Sequence, residues 1–266
     1  MKHARVAYNG LIQNATETDE GIRLEDGRIV EESQVTWLPP VEPKTVFTLG
    51  LNYADHAAEL SFKETQKEPL VFLKGPNTFL GHLGETYRPS DVTFMHYECE
   101  LAVVIGKTAK NVSKEKAYDY VRGYTVANDY ALRDYLENYY RPNLRVKNRD
   151  TCTPIGPWLV DKEDIEDPMN LQLTTYVNGE MTQQGNTADM IFSIPHLIAY
   201  LSGFMTLNAG DIILTGTPKG SVDTKVGDEV ITEVEGIGRL VNTIVGEEVF
   251  QNKLMKSILN NGESVD

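Results

Sequence analysis

His96-Tyr97-Glu98-Cys99-Glu100-Leu101-Ala102-Val103-Val104-Ile105-Gly106 is the stretch on which the reading of the fold turns. Its apolar, partly β-branched run closed by glycine has the composition of a buried strand. Residues two apart on a strand project to one face, so Glu98 and Glu100 point together and Cys99 faces the core. Two carboxylates on one face of an otherwise apolar strand repel if buried and unpaired. They need solvent, a basic partner or a divalent cation. Asp129, at the end of a second apolar strand over Tyr124 to Asn128, can add a third carboxylate from a neighbouring position. Oxygen-only ligation suits Mg²⁺, Mn²⁺ or Ca²⁺ and leaves positions open for water or substrate. His96 shares the face of the two glutamates if the strand extends that far, and is expected behind the ligands rather than among them.

Outward from this strand, the pattern is β-dominated. Strands are expected at Thr45 to Gly50, Leu70 to Leu73, Gly123 to Asn128 and Leu171 to Val177, the last ending in the hairpin signal Asn178-Gly179. They resume at Asp211 to Thr215, Glu229 to Val234 and Arg239 to Val245. Asn52 is placed to cap a short helix over Tyr53 to Leu60. A core helix is expected after Ser193, with Pro195 in its first turn and Ile194, Leu197, Ile198 and Leu201 at helical spacing. Before the proline cluster Pro39, Pro40 and Pro43, short strands such as Arg5–Tyr8 and Gly21–Leu24 form a leading segment. The expected division is therefore a β-rich segment over 1–42, a main domain over 43–250 and a polar helix or tail over 251–266.

The chain has 266 residues, with 25 Lys+Arg against 39 Asp+Glu and a formal net charge of -14. So acidic a surface repels phosphate backbones and anionic lipid, which argues against nucleic-acid and membrane partners. Two cysteines, Cys99 and Cys152, make neither a disulfide framework nor a zinc site, and residues 1–10 lack the apolar core of a signal peptide. A cytoplasmic protein is the expectation.

Against that acidity, residues 133–149 gather Arg133, Arg141, Arg145, Lys147 and Arg149 against Asp134 and Glu137. A guanidinium fork matches a carboxylate, so a small organic acid is the expected partner, although salt bridges to the protein's own acids would use the same residues. Thr215-Gly216-Thr217-Pro218-Lys219-Gly220 follows an apolar strand as a tight loop whose hydroxyls, N–H groups and lysine could hold a carboxylate. It lacks P-loop spacing, and no dinucleotide fingerprint or nucleophile elbow is present. His56 and Glu59, at helical i, i+3 spacing, can pair so that the carboxylate orients the imidazole as a general base, or can be a plain surface pair.

Taken in order, Gly50–His56, Glu98-Cys99-Glu100, Asn128-Asp129, Lys147 with Asp150, Gly156-Pro157, Val177–Glu180 and Thr215–Pro218 resemble the fumarylacetoacetate hydrolase family over roughly 45–246. Residues 128–143 look most like its branch in homoprotocatechuate (4-hydroxyphenylacetate) degradation, an aromatic catabolic route. The resemblance implies an α+β, β-dominated mixed β-sandwich roll with short helices, and a homodimer. It implies Mg²⁺ or Mn²⁺ on Glu98, Glu100 and Asp129, with Lys147, His56 and Glu59 as catalytic residues. Lys74, Arg133, Arg141, Arg145, Thr217 and Lys219 are the candidate substrate contacts. The activity implied is decarboxylation of 5-carboxymethyl-2-oxo-hex-3-ene-1,7-dioate and isomerisation of 2-hydroxyhepta-2,4-diene-1,7-dioate. Alternatives are an acylpyruvate (fumarylpyruvate-type) hydrolase, an oxaloacetate decarboxylase, or a non-catalytic metal-dependent dicarboxylate binder. Many hydrolases of the family carry glutamine where an ungapped reading places Leu136, which disfavours chemistry with an attacking water.

Overall fold

The structure is a computed structural model that describes residues 1–55, 67–136 and 143–260, with side chains to 253. Two mixed sheets and a helix enclose the core. Along the larger sheet the strands run Ile29–Val30, Gly21–Leu24, Leu11–Thr18, Lys2–Tyr8, Thr153–Asp161, Val121–Asn128, Cys99–Ile105, Ile212–Leu214, Val46–Gly50 and Leu70–Lys74. The smaller runs Glu180–Asn186, Gln172–Val177, Glu229–Val234, Gly238–Val245 and Gly84–Tyr87. Ile212–Leu214 lies parallel to Val46–Gly50, and Gly238–Val245 parallel to Gly84–Tyr87. Most other pairs are antiparallel, so the fold is the β-dominated mixed roll that the sequence led us to expect.

Cys99–Ile105 is buried on both faces, which is why its sequence runs apolar without alternation. Its odd-numbered side chains, Cys99, Leu101, Val103 and Ile105, join Leu173, Val234 and Leu240 of the smaller sheet and Ile194, Leu197, Ile198 and Leu201 of the helix. Ala102 and Val104 point the other way, into a second cluster with Ile155, Leu159, Ile212 and Leu214. The helix spans Ile194–Phe204; Ser193 Oγ caps it by accepting from the His196 N–H, as its sequence promised.

Two local readings change, and the leading segment's place is added to them. Thr153–Asp161, unmarked as a strand because Pro154, Gly156 and Pro157 punctuate it, is central to the larger sheet. The sheet tolerates these residues through a register irregularity opposite Tyr124–Val126, where Pro157 needs no ladder donor. Asn52 does not cap the turn after it. It is 1% exposed, and its amide is satisfied between two other segments: Nδ2 donates to Phe192 O (3.1 Å) and Thr215 O (2.8 Å), and Oδ1 accepts from Phe192 N (2.8 Å). The leading strands are joined to the rest, since Lys2 and His3 pair with Val160 and Leu159 while Ala4, Val6, Ile22, Leu24 and Trp37 form a cluster of their own.

Both Asn-Gly hairpins behave as their residues require. Asn9-Gly10 and Asn178-Gly179 hold positive φ at both positions (49° and 79°; 51° and 82°), the twist that matches flanking antiparallel strands. The final helix, Glu247–Asn260, docks through Phe250, whose ring stacks 4.6 Å from Tyr87, and Lys253, which pairs with Glu85 (2.6 Å). Among the described residues no helix is long and apolar enough to cross a membrane.

Candidate metal centre

Strand pairing builds the site. Cys99 stands opposite Asn128, so Glu98 and Asp129 come together just beyond the ends of adjacent strands; the Asp129 N–H donates to Glu98 O (3.0 Å) and Asn128 Oδ1 accepts from the Glu98 N–H (2.9 Å). Glu100, two residues into its strand, shares the face of Glu98. One ligand oxygen from each of Glu98, Glu100 and Asp129 lies within 4.8 Å of the others, and all three residues are buried. Among the described residues this is the one such cluster of potential metal ligands.

Two buried lysines stand against these three carboxylates. Lys147 Nζ donates to Glu98 Oε2 (2.5 Å), lies 3.0 Å from Asp129 Oδ2 and donates to Asp129 O (3.1 Å). Burial works against its charge, but Asp129 and Glu98 outweigh burial and hold the ammonium well above its usual range. Lys74, expected among the substrate contacts, is instead sealed behind Asp129 with no exposed side-chain surface. Its Nζ bonds Asp129 Oδ1 and Lys147 O and lies 3.6 Å from Cys152 Sγ. Thr48 Oγ1 donates to Asp129 Oδ2 (3.1 Å). Burial alone would raise the Asp129 carboxyl; Lys147 and Lys74 overcome it and hold the group below the ordinary carboxylate range.

Glu100 is the outlier of the three. Its Oε2 accepts the Gly216 N–H (2.6 Å), while Oε1 is buried with no hydrogen-bond partner among the described residues. Burial first, then the charges of Asp129 and Glu98, push its carboxyl well above the ordinary range. A buried orphan carboxylate oxygen converging with two other carboxylates is the donor set a hard divalent cation completes. With three carboxylates and two ammonium groups the formal balance is -1, which a divalent ion would turn to +1. The residues present therefore fit a divalent metal.

Residues 45–245 match the family described as Fumarylacetoacetate (FAA) hydrolase C-terminal. The chain belongs to the fumarylacetoacetate hydrolase family. It is 65% identical over 213 residues to the 4-hydroxyphenylacetate degradation bifunctional isomerase/decarboxylase of Salmonella dublin, covering 80% of this chain and 49% of that protein. The chain thus spans about half the length of that curated relative. Its fold superposes on the 5-carboxymethyl-2-hydroxymuconate delta-isomerase of Mycobacterium smegmatis with a TM-score of 0.82 at 34% identity, covering 93% of this chain and 99% of that one. It also matches the fumarylpyruvate hydrolase of Pseudomonas aeruginosa solved with Mn²⁺ and pyruvate, with a TM-score of 0.73 at 30% identity over 78% and 91% of the two chains. Members of this family depend on a divalent metal, and the buried acidic triad of this chain fits a metal site.

The other expected residues divide. His56, Glu59 and Arg141 lie outside the described residues. Arg133 Nε donates to His96 Nε2 (2.8 Å), which leaves His96 Nδ1 as the donor to Tyr97 O (3.0 Å). His96 is therefore a neutral imidazole, its pKa lowered to about 4 chiefly by burial, standing 3.8 Å behind Glu98 Oε1 as a supporting group. Arg145 is exposed, with its guanidinium 3.6 Å over the Tyr135 ring. Lys219 is exposed and pairs with Asp55 (3.1 Å). Thr217 is buried on the loop that supplies the Gly216 N–H, and its Oγ1 accepts from Gln183 Nε2 (3.0 Å). Sequence reasoning missed Thr48, Gln183 and the clamping role of Asn52. Thr48 carried one usable signal: on a strand otherwise apolar from Val46 to Leu49 it is the single polar side chain.

Proposed function

We propose that this chain is a divalent-metal-dependent decarboxylase/isomerase of 2-oxo and 2-hydroxydiene di- and tricarboxylic acids, working on 5-carboxymethyl-2-oxo-hex-3-ene-1,7-dioate and 2-hydroxyhepta-2,4-diene-1,7-dioate. The observation that carries this reading is the buried Glu98–Glu100–Asp129 triad with an unpartnered Glu100 Oε1 beside the Lys147 ammonium. The 65% identity to an isomerase/decarboxylase supports the choice of substrate.

Glu98, Glu100 and Asp129 would hold Mg²⁺ or Mn²⁺. Bound there, the cation supplies Lewis-acid stabilisation of negative charge on a substrate oxygen. Loss of CO₂ or of a proton leaves an electron pair that delocalises onto the 2-oxo group, and Lys147 places a fixed cationic charge next to it. A preorganised charge of this kind acts on the transition state more than on the ground state, and removing one typically costs about 3 kcal/mol. Thr217 would take a carboxylate oxygen, with Arg145, Arg141 or Lys219 meeting the distal carboxylate. His56, oriented by Glu59, would deliver or remove the proton that completes the reaction. A cytoplasmic homodimer is the setting we infer.

The likeness to the Pseudomonas fumarylpyruvate hydrolase favours acylpyruvate hydrolysis as the second reading. Leu136, a hydrophobic residue 47% exposed, offers no hydrogen bond to a water and weighs against it. The experiment is ultraviolet loss of the tricarboxylate and of an acylpyruvate, each in Mg²⁺ and after EDTA. Metal-dependent loss of the tricarboxylate supports the proposal. Turnover of the acylpyruvate alone would move the assignment to hydrolase.

A further inference from the structure

Gln183 lies on the Glu180–Asn186 strand, 2% exposed, with its amide against the Thr217–Ser221 loop. Pro218 O, 2.7 Å from Nε2, can only accept, so the amide nitrogen faces the loop. Oε1 is thereby turned to Thr175, whose Oγ1 at 3.0 Å must donate. The same NH₂ group stands 3.0 Å from Thr217 Oγ1 and has no lone pair to give, so Thr217 must accept there. Its own hydroxyl proton remains for another partner. Thr217 directly follows Gly216, whose N–H holds Glu100 Oε2 at 2.6 Å, so the backbone of the loop that carries this hydroxyl is pinned to the triad.

The strand also seats the loop mechanically. A Cβ at Gly185 would fall 2.4 Å from Pro218 Cβ, and Tyr97 Oη lies 2.6 Å from Thr182 Oγ1 and donates to Gly220 O (3.2 Å). Loop position and hydrogen-bond direction are thus set from one strand of the smaller sheet.

We propose that Gln183 is a positioning residue that fixes the hydrogen-bond polarity of Thr217, making its hydroxyl an obligate donor to a carboxylate oxygen of the anionic ligand. The inference rests on the function proposed above, in which Thr217 contacts substrate, and deepens it. A methionine at 183 keeps the bulk and removes the constraint: the Thr217 hydroxyl is then free to turn its proton to Pro218 O or another acceptor of its own loop. A valine at 217 removes the donor outright.

The test uses the full chain loaded with Mn²⁺ and pyruvate as the probe, followed by calorimetry. One hydrogen bond to a charged acceptor corresponds to about tenfold or more in affinity. Thr217→Val and Gln183→Met should each weaken pyruvate by about tenfold, while the double variant binds no worse than Thr217→Val because both act through one proton. In turnover of the tricarboxylate, Gln183→Met should raise KM with kcat kept within about twofold, a split that general loosening of the fold would not give. Thr175→Val removes the donor to Gln183 Oε1 but leaves Nε2 on Pro218 O and Thr217 Oγ1, so it should keep KM near the wild-type value, and Gln183→Leu repeats the test where Gln183→Met does not fold. Wild-type affinity in Gln183→Met, additive losses in the double variant, or no pyruvate binding by the wild type would each overturn the inference. Pyruvate binding with the expected losses but no turnover of the tricarboxylate would instead refute the substrate reading alone.

Discussion

Replacing Lys74 by methionine removes a charge that never meets solvent. Lys74 Nζ bonds Asp129 Oδ1 and Lys147 O, so the variant leaves a buried carboxylate oxygen without its donor and the Lys147 carbonyl with only the weak Cys152 thiol donor (3.2 Å), while Lys147 and Thr48 still serve Asp129 Oδ2. Breaking one side of a buried ion pair costs about 3–5 kcal/mol. For a chain of this size each kcal/mol corresponds to roughly 2–4 °C in Tm, so the metal-free variant should melt about 10 °C below the wild type. The formal balance of the site falls from -1 to -2, which strengthens its attraction for a dication. Melting in EDTA and again in excess Mn²⁺ therefore gives two readings: a low Tm without metal, and a larger metal-induced rise than in the wild type. A metal-free Tm within about 2 °C of the wild type would refute the claim that Lys74 neutralises Asp129. A low Tm with no added response to Mn²⁺ would refute the charge balance.

Glu100→Gln should abolish Mn²⁺ binding measured by electron paramagnetic resonance, and should lower tricarboxylate turnover by about 10²-fold or more, since an amide keeps the shape but loses the charge the cation needs. Asn52→Ala should cost about 2–4 kcal/mol in denaturant unfolding, because it strips partners from the Phe192 N–H and the Phe192 and Thr215 carbonyls in the interior. His82 should weaken the fold in acid: burial lowers its pKa below 6.5, against the pull of Glu32, so the stability it contributes is complete above 6.5 and is lost as pH falls through the folded value. Both tryptophans report it, since Trp37 packs 5.2 Å from His82 and 5.0 Å from Trp158; an emission unchanged by acidification down to the onset of global unfolding would rule this out.

The carboxylate face was legible because strand periodicity is rigid: once Leu101–Ile105 is a strand, Glu98 and Glu100 share a side whatever surrounds them. The helix after Ser193 was legible for the same reason, its period and cap agreeing. Thr153–Asp161 was hidden because local punctuation by Pro154, Gly156 and Pro157 is absorbed by a register irregularity that exists only once Val121–Asn128 lies beside it. Lys74 was named from sequence only as a candidate substrate contact; its pairing with Asp129 was not legible, since an extended strand end cannot tell whether its last side chain meets solvent or a neighbouring strand. Gln183 was invisible for a related reason: the Thr217–Ser221 loop it governs is 34 or more residues away, and nothing on the Glu180–Asn186 strand marks its amide as different from that of Gln184.

These distances in sequence also bear on how the site works. Thr48 reaches Asp129 across 81 residues, Lys74 across 55, Lys147 reaches Glu98 across 49, and Gly216 reaches Glu100 across 116. Among the described residues no short segment carries a metal site of its own, and the triad converges only when Val46–Gly50, Cys99–Ile105, Val121–Asn128 and Ile212–Leu214 are in register. Ligand binding energy for a cation is then folding energy of the whole sheet, and the carboxylates are held in place before any substrate arrives. The substrate we propose carries several negative charges, yet the chain carries -14, so attraction at long range cannot bring the two together. Recognition must be local: the three carboxylates and the ammonium groups of Lys74 and Lys147 balance at -1, so this interior would turn positive toward an acid only once a divalent ion brought the balance to +1.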